Sequence, residues 1–354
     1  MNHHGFNLFS WLSGLALWLS LVGGVAAHPA WGIQVAPDGT VYFADVERDR
    51  IWMITTTGRL KMIVKGEHSH ALFYAADGYL YGEDLAYDKT TQRWWHGRWR
   101  ARSDDFFETL LPMTADVPPG WGVCRDAAGN TYAVEQNEQF ARVVRRTRDG
   151  AVSIIAGGAH GYADGVGEQA RFSFLEAMTL GADGALYVRD NATIRRVTLS
   201  GAVTTLGGNP LGGTPQPLTN GPMNGLLGLT VDARGNVYVA DMAARSIRRI
   251  QPDNHVETVW QSHWPWTTTG VACHDDAFYV LENLAPTSWW FPASLGIGPY
   301  IRIHRVSRDG KSLQLATVWW QTTRRAAGVV VLSLVLFSLW RLHKKDKQRG
   351  FQGF

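Results

Sequence analysis

Glu67-His68-Ser69-His70 is the run of this chain whose residue types and spacing best fit metal chemistry: on an extended segment, side chains two apart point the same way, so His68 and His70 can turn toward one ion. A complete tetrahedral site needs further ligands, and no third one is identifiable from spacing. Ordinary surface histidines are the plainer reading. The chain has no G-x-S-x-G elbow, phosphate-cradling glycine loop, paired-cysteine zinc spacing or Ser-His-Asp order, and no cofactor is expected. Six acids recur at one place in a repeating pattern, Asp45, Glu83, Glu135, Asp190, Asp241 and Glu282. Recurrence in every unit points to a structural hydrogen bond to a neighbouring turn rather than to catalysis. Asn191-Ala192-Thr193 is formally a glycosylation acceptor.

The elements that must carry these residues are short strands. In GLTVDARGNVYVADMAARSIRRI (228–250) an apolar run meets an Asp/Gly turn, a β-branched and aromatic run closes on Asp241, and a third strand follows. The same grammar begins at Gly32, Ala71, Gly122, Ala177 and Gly270, which makes six units. A second tight turn joins third to fourth strands at Thr57-Gly58, Asp149-Gly150, Ser200-Gly201, Asp253-Asn254 and Asp309-Gly310, with a less distinct one near Ser103-Asp104. One unit cannot bury its own apolar faces, so the expected fold is all-β, a six-bladed β-propeller over residues 28–320.

The units resemble NHL repeats. YADGVGEQARFSFLEAMTLGADGALYVRDNATIRRV (162–197) is the passage most similar to that family, and the resemblance extends over roughly residues 30–320. It implies the fold and says little about activity. In six-bladed lactonases of similar repeat geometry, a divalent metal sits at the channel mouth on acidic and amide side chains just before the first-strand glycines. The corresponding positions here are Trp31, His70, Trp121, Glu176, Leu227 and Thr269. Only His70 and Glu176 could ligate, fewer than the six to eight oxygens that calcium takes. The lactonase constellation is therefore missing.

Composition narrows the function class. With 45% hydrophobic residues and 16 Trp the chain is no disordered segment, and a net charge of +3 is too mild to argue for nucleic acid. The basic pairs Arg195-Arg196 and Arg248-Arg249 read as solvated third-strand faces. Cys124 and Cys273 fall in the first strands of blades three and six, opposite each other across the channel and too far apart for a disulfide. Buried free thiols are expected.

Both termini read as membrane segments. Residues 6–22 are apolar and lead to Val25-Ala26-Ala27, the small-residue pattern of a signal cleavage site, so residues 1–27 are expected to be a signal peptide or, since the preceding MNHHG lacks Lys and Arg, a signal anchor. A short linker (321–325) precedes the apolar run AAGVVVLSLVLFSLW (326–340), expected as a transmembrane helix over 326–342. The basic tail, 343–354, places that end in the cytoplasm and the propeller outside it.

Length variation singles out one face. Tight turns gather on one side of the ring, while long links (157–175 and 208–227) and expanded loops (84–95 and 283–300) gather on the other. Tryptophans collect on that side: Trp94 and Trp95 in the blade-two loop, Trp264 and Trp266 in the link between blades five and six, and Trp289 and Trp290 in the blade-six loop. Both chain ends also emerge there, which turns this face toward the lipid. The reading is a membrane-tethered, extracytoplasmic binding or scaffolding module that uses the Trp-rich face for the membrane and for a protein or small-molecule ligand. The alternative is a hydrolase or lyase with His70 and Glu176 at the channel mouth.

Overall fold

A computed structural model describes residues 31–88, 90–91, 93–115, 123–206, 225–284 and 299–319. Six sheets follow one another along the chain, each a meander of consecutive antiparallel strands. Blade one covers 33–65, blade two 69–114, blade three 123–159, blade four 175–205, blade five 226–261 and blade six 266–319. Blade four gains a fifth, outer strand, Gly165–Val166, from the link that precedes it, paired to Ala202–Thr205. Among the described residues each blade is complete without strands from the opposite end of the chain.

The turns are those the Asp/Gly pairs demand. Gly39, Gly78, Gly129, Gly184 and Gly235 close the first-to-second turns of blades one to five with φ from 75° to 88°, a region L-residues rarely enter. Asp275, at φ 51°, does this in blade six. The second strands Val41–Asp45, Leu186–Asp190 and Val237–Asp241 are buried at every position, because each sits between two strands of its own blade and two neighbouring blades.

Apolar side chains are shared between blades rather than held within them. Clusters span the seams between blades one and two, three and four, four and five, five and six, and six and one. Between blades two and three, Arg125 Nη1 donates to Asp77 Oδ2 and Tyr81 Oη, both at 3.1 Å. Three inner strands meet backbone to backbone: a Cβ on Gly270 would stand 2.5 Å from the Trp31 carbonyl oxygen, and one on Gly228 2.9 Å from Gly270 Cα. Glycine is what allows that approach.

Two expectations need correction. Residues 84–95 are largely strand, not loop: Leu80–Asp88 pairs with Arg93–Ala101 through Asp88↔Arg93, a hairpin that projects beyond the blade. Its alternation of polar and aromatic residues suits a two-sided strand better than an irregular loop. Arg195 is no solvated residue either, since its side chain is fully buried, whereas Arg196, Arg248 and Arg249 are partly exposed. Among the described residues no helix is long and apolar enough to cross a membrane, and the runs 6–22 and 326–340 lie outside them.

Candidate functional site: the channel mouth

First strands line the axis of the ring, leaving a cavity of ≈280 Å³ bordered by Trp31, Gln34, Phe73, Arg125, Met178 and Thr230 among others. A second cleft, ≈460 Å³, lies between blades four and five beside Asp183, Tyr187 and Arg196, whose charges already pair with each other.

The channel mouth brings together part of the expected set. The rings of Trp31 and His70 lie 5.0 Å apart, and the Trp31 amide donates to the His70 carbonyl at 3.3 Å. His68 stands edge-on to His70 at 5.0 Å, yet its Nδ1 is 2.7 Å from Asp49 Oδ1. No group of three or more His, Cys, Asp or Glu with metal-holding geometry occurs among the described residues. Glu176 is committed elsewhere: it is buried and ion-paired with Arg189, itself 2% exposed, and burial raises the Glu176 pKa and lowers that of Arg189. Trp121 lies outside the described residues.

The group that sequence reasoning passed over is Glu83. It holds the acidic register position of the second strand of blade two like its five counterparts, but it also lines the cavity. Burial pushes its pKa from 4.5 up to about 7, against the pull of Arg98, whose Nε donates to Oε1 at 2.9 Å. Next along the strand from Glu83, Asp84 bonds Glu67, whose pKa is raised to about 8, chiefly by that hydrogen bond and then by burial. Asp84 is fixed in turn by the Ser69 hydroxyl at 2.5 Å and the Trp99 indole N–H at 3.3 Å. A carboxyl at the cavity wall whose pKa burial lifts to about 7 is the raw material of general acid–base work. The available signal was Gly82: a Cβ there would stand 2.1 Å from the Trp99 ring, so blade two departs from its siblings to seat an indole across the strand.

The acids as a set do hold structural hydrogen bonds: Asp241 accepts from the Ala244 amide in the adjoining turn and Asp190 from the Ser173 and Phe174 amides of the preceding link, as expected, but side-chain partners add to these. In five blades the partner is a third-strand arginine. Glu83, Glu135 and Glu282 reach the arginine directly opposite (Arg98, Arg142 and Arg302), and the shorter Asp190 and Asp241 take one on the diagonal (Arg195 and Arg248). Side-chain length decides which neighbour can be met. Cys124 and Cys273 are both free, and burial raises the pKa of each thiol.

The tryptophans divide. Trp264 and Trp319 are 59% and 60% exposed, both on the loop face. Trp266, expected on that rim, is instead 8% exposed inside the first strand of blade six, with the Arg302 guanidinium 3.9 Å from its ring. Trp94 and Trp95 sit on the strand Arg93–Ala101, where Trp95 is half-buried. Trp289 and Trp290 lie outside the described residues.

Among solved structures, virginiamycin B lyase from Staphylococcus aureus is similar at 18% identity and TM-score 0.46, over 83% of this chain and 85% of that one. A protein of unknown function from Bacteroides thetaiotaomicron is similar at 15% identity and TM-score 0.50, over 71% and 66%. A calcium-binding regucalcin from Agrobacterium tumefaciens gives 14% and 0.49, over 77% and 87%. No family model and no curated protein matches the chain. At these identities the likeness concerns the fold alone, and the sheet order establishes that fold independently: this chain is a six-bladed β-propeller.

Proposed function

We propose that the blades are NHL repeats and that the ring is a membrane-tethered, extracytoplasmic binding module whose loop face meets the bilayer interface and a partner held there. The observation that carries this is the exposure of Trp264 and Trp319 on the face from which the chain leaves the ring. From Trp319 to the apolar run at 326 the chain can extend at most about 25 Å, so a span there keeps that face near the headgroups, where indoles partition well. Residues 326–342, as a helix, would be about 25 Å long, close to the roughly 30 Å hydrocarbon core, with Arg341 near its end reaching out to the interface.

Full-length protein reconstituted in vesicles that contain lipids brominated near the headgroup tests the reading. Indole fluorescence should be quenched, and Trp264→Ala with Trp319→Ala should remove part of that quenching while leaving the fold intact. Equal quenching in the double variant sinks it. A second reading rests on Glu83: proton-transfer chemistry at the channel mouth, with Glu83 as acid or base. Turnover of any ester, lactone or lyase substrate that Glu83→Gln abolishes would favour it.

A further inference from the structure

Five of the six strand-closing acids hold their own blade together, through Glu83–Arg98, Glu135–Arg142, Asp190–Arg195, Asp241–Arg248 and Glu282–Arg302. Blade one breaks the rule. Trp52 stands opposite Phe43, the place that Arg195 holds opposite Val188 and Arg248 opposite Val239. It gives Asp45 an indole N–H at 3.2 Å where those blades have an ion pair, while Arg48 and Arg50, the latter directly opposite Asp45, act on the carboxyl through their charge. Asp45 is 1% exposed, and its Oδ1 has no hydrogen-bond partner among the described residues.

The freed carboxylate turns outward from its blade. Tyr300, at the start of the third strand of blade six, donates its hydroxyl to Asp45 Oδ2 at 2.5 Å, a contact between residues 255 apart in the chain. Arg48 covers the Tyr300 ring at 4.5 Å and reaches the Trp319 carbonyl at 3.5 Å, so the chain also leaves the ring beside this contact. Among the described residues no strand crosses the seam between blades six and one, where many closed rings would share one. Burial raises the pKa of both Asp45 and Tyr300.

We propose that Asp45 and Tyr300 form a latch across the seam where the ring closes, released for that duty by tryptophan in the arginine position of blade one, and that breaking it loosens this seam selectively. The five in-blade pairs set the stability of individual blades, and the latch adds a polar tie to the apolar cluster that blades six and one share. Opening it uncovers the channel wall at Trp31 and frees the end of the chain at Trp319. The inference does not depend on what the loop face binds.

Native-state hydrogen exchange on the full chain tests it. Tyr300→Phe deletes one hydroxyl and keeps the ring beneath Arg48. Amides of 33–54 and 299–318 should lose about ten- to a hundred-fold in protection, the range for a hydrogen bond to a charged group, while blades three and four keep theirs. Trp52→Arg supplies the cation the other blades have and draws Asp45 back into its own blade, so adding Tyr300→Phe in that background should change little. Should Trp52→Arg fail to fold, the cycle of Asp45→Asn and Tyr300→Phe measures the same coupling. Uniform loss in all six blades, an undiminished effect of Tyr300→Phe beside Trp52→Arg, or additive effects in the cycle would each overturn the latch.

Discussion

Glu83→Gln should flatten one part of the dependence of stability on pH. The Glu83 side chain is 14% exposed, and burial lifts its pKa from 4.5 to about 7 although Arg98 opposes the shift. The folded protein therefore holds this proton more tightly than the unfolded chain, by roughly 2.5 pKa units or about 3 kcal/mol. A raised carboxyl contributes its stability in full below its unfolded value and loses it as pH climbs through the folded one. The wild type should thus fall relative to Glu83→Gln between pH 4.5 and about 7, then run parallel above. For a domain of this size the relative change amounts to roughly 5–10 °C in Tm. Urea or thermal unfolding followed by tryptophan emission at half-unit pH steps would measure it. Glu67, raised to about 8, titrates in both proteins over an overlapping window, so the difference between the two curves isolates Glu83. Parallel curves throughout would mean that Arg98 keeps Glu83 ionised well below neutrality, and the channel mouth would then have no proton to exchange at pH 7.

Arg195→Met should destabilise by about 3–5 kcal/mol, because Asp190 would be left as a buried charge without its cation. Arg195 Nη2 also donates to the Ala163 carbonyl at 2.8 Å and to Asp164 at 2.7 Å, so cleavage within residues 160–172 by a protease should accelerate in the same variant. Arg195→Lys should rescue little of either effect, since an ammonium cannot bond both sides of that fork. Cys124 and Cys273, with raised thiol pKa values, should resist iodoacetamide in the native protein and react in urea; mass spectrometry showing rapid native labelling of Cys124 would contradict its burial in the channel wall.

Much of the fold was legible in the chain because the evidence for it is local. The Asp/Gly turns, the two-residue alternation and the recurring acid repeat within each unit, and a unit that cannot bury its own faces must find a like neighbour. The site was less legible. Spacing puts Trp31, His70 and Glu176 at equivalent places in their units, but it shows neither that the Trp31 and His70 rings meet nor that Arg189, thirteen residues after Glu176, is folded against that carboxyl. Trp266 illustrates the same limit, since its position in a link-like stretch says nothing of the Arg302 guanidinium that covers it.

Sequence alone determined the number of blades and the tight turns, whereas the departures at Gly82 in blade two and Trp52 in blade one stand out only once the strands are paired. Tertiary structure decided what those departures do. Whether a carboxyl pairs inside its blade, faces the channel as Glu83 does, or crosses to Tyr300 as Asp45 does depends on partners brought near by ring closure. Periodicity records how a strand folds on its neighbour in sequence, but contacts between the first and last blades exist only once the circle is complete.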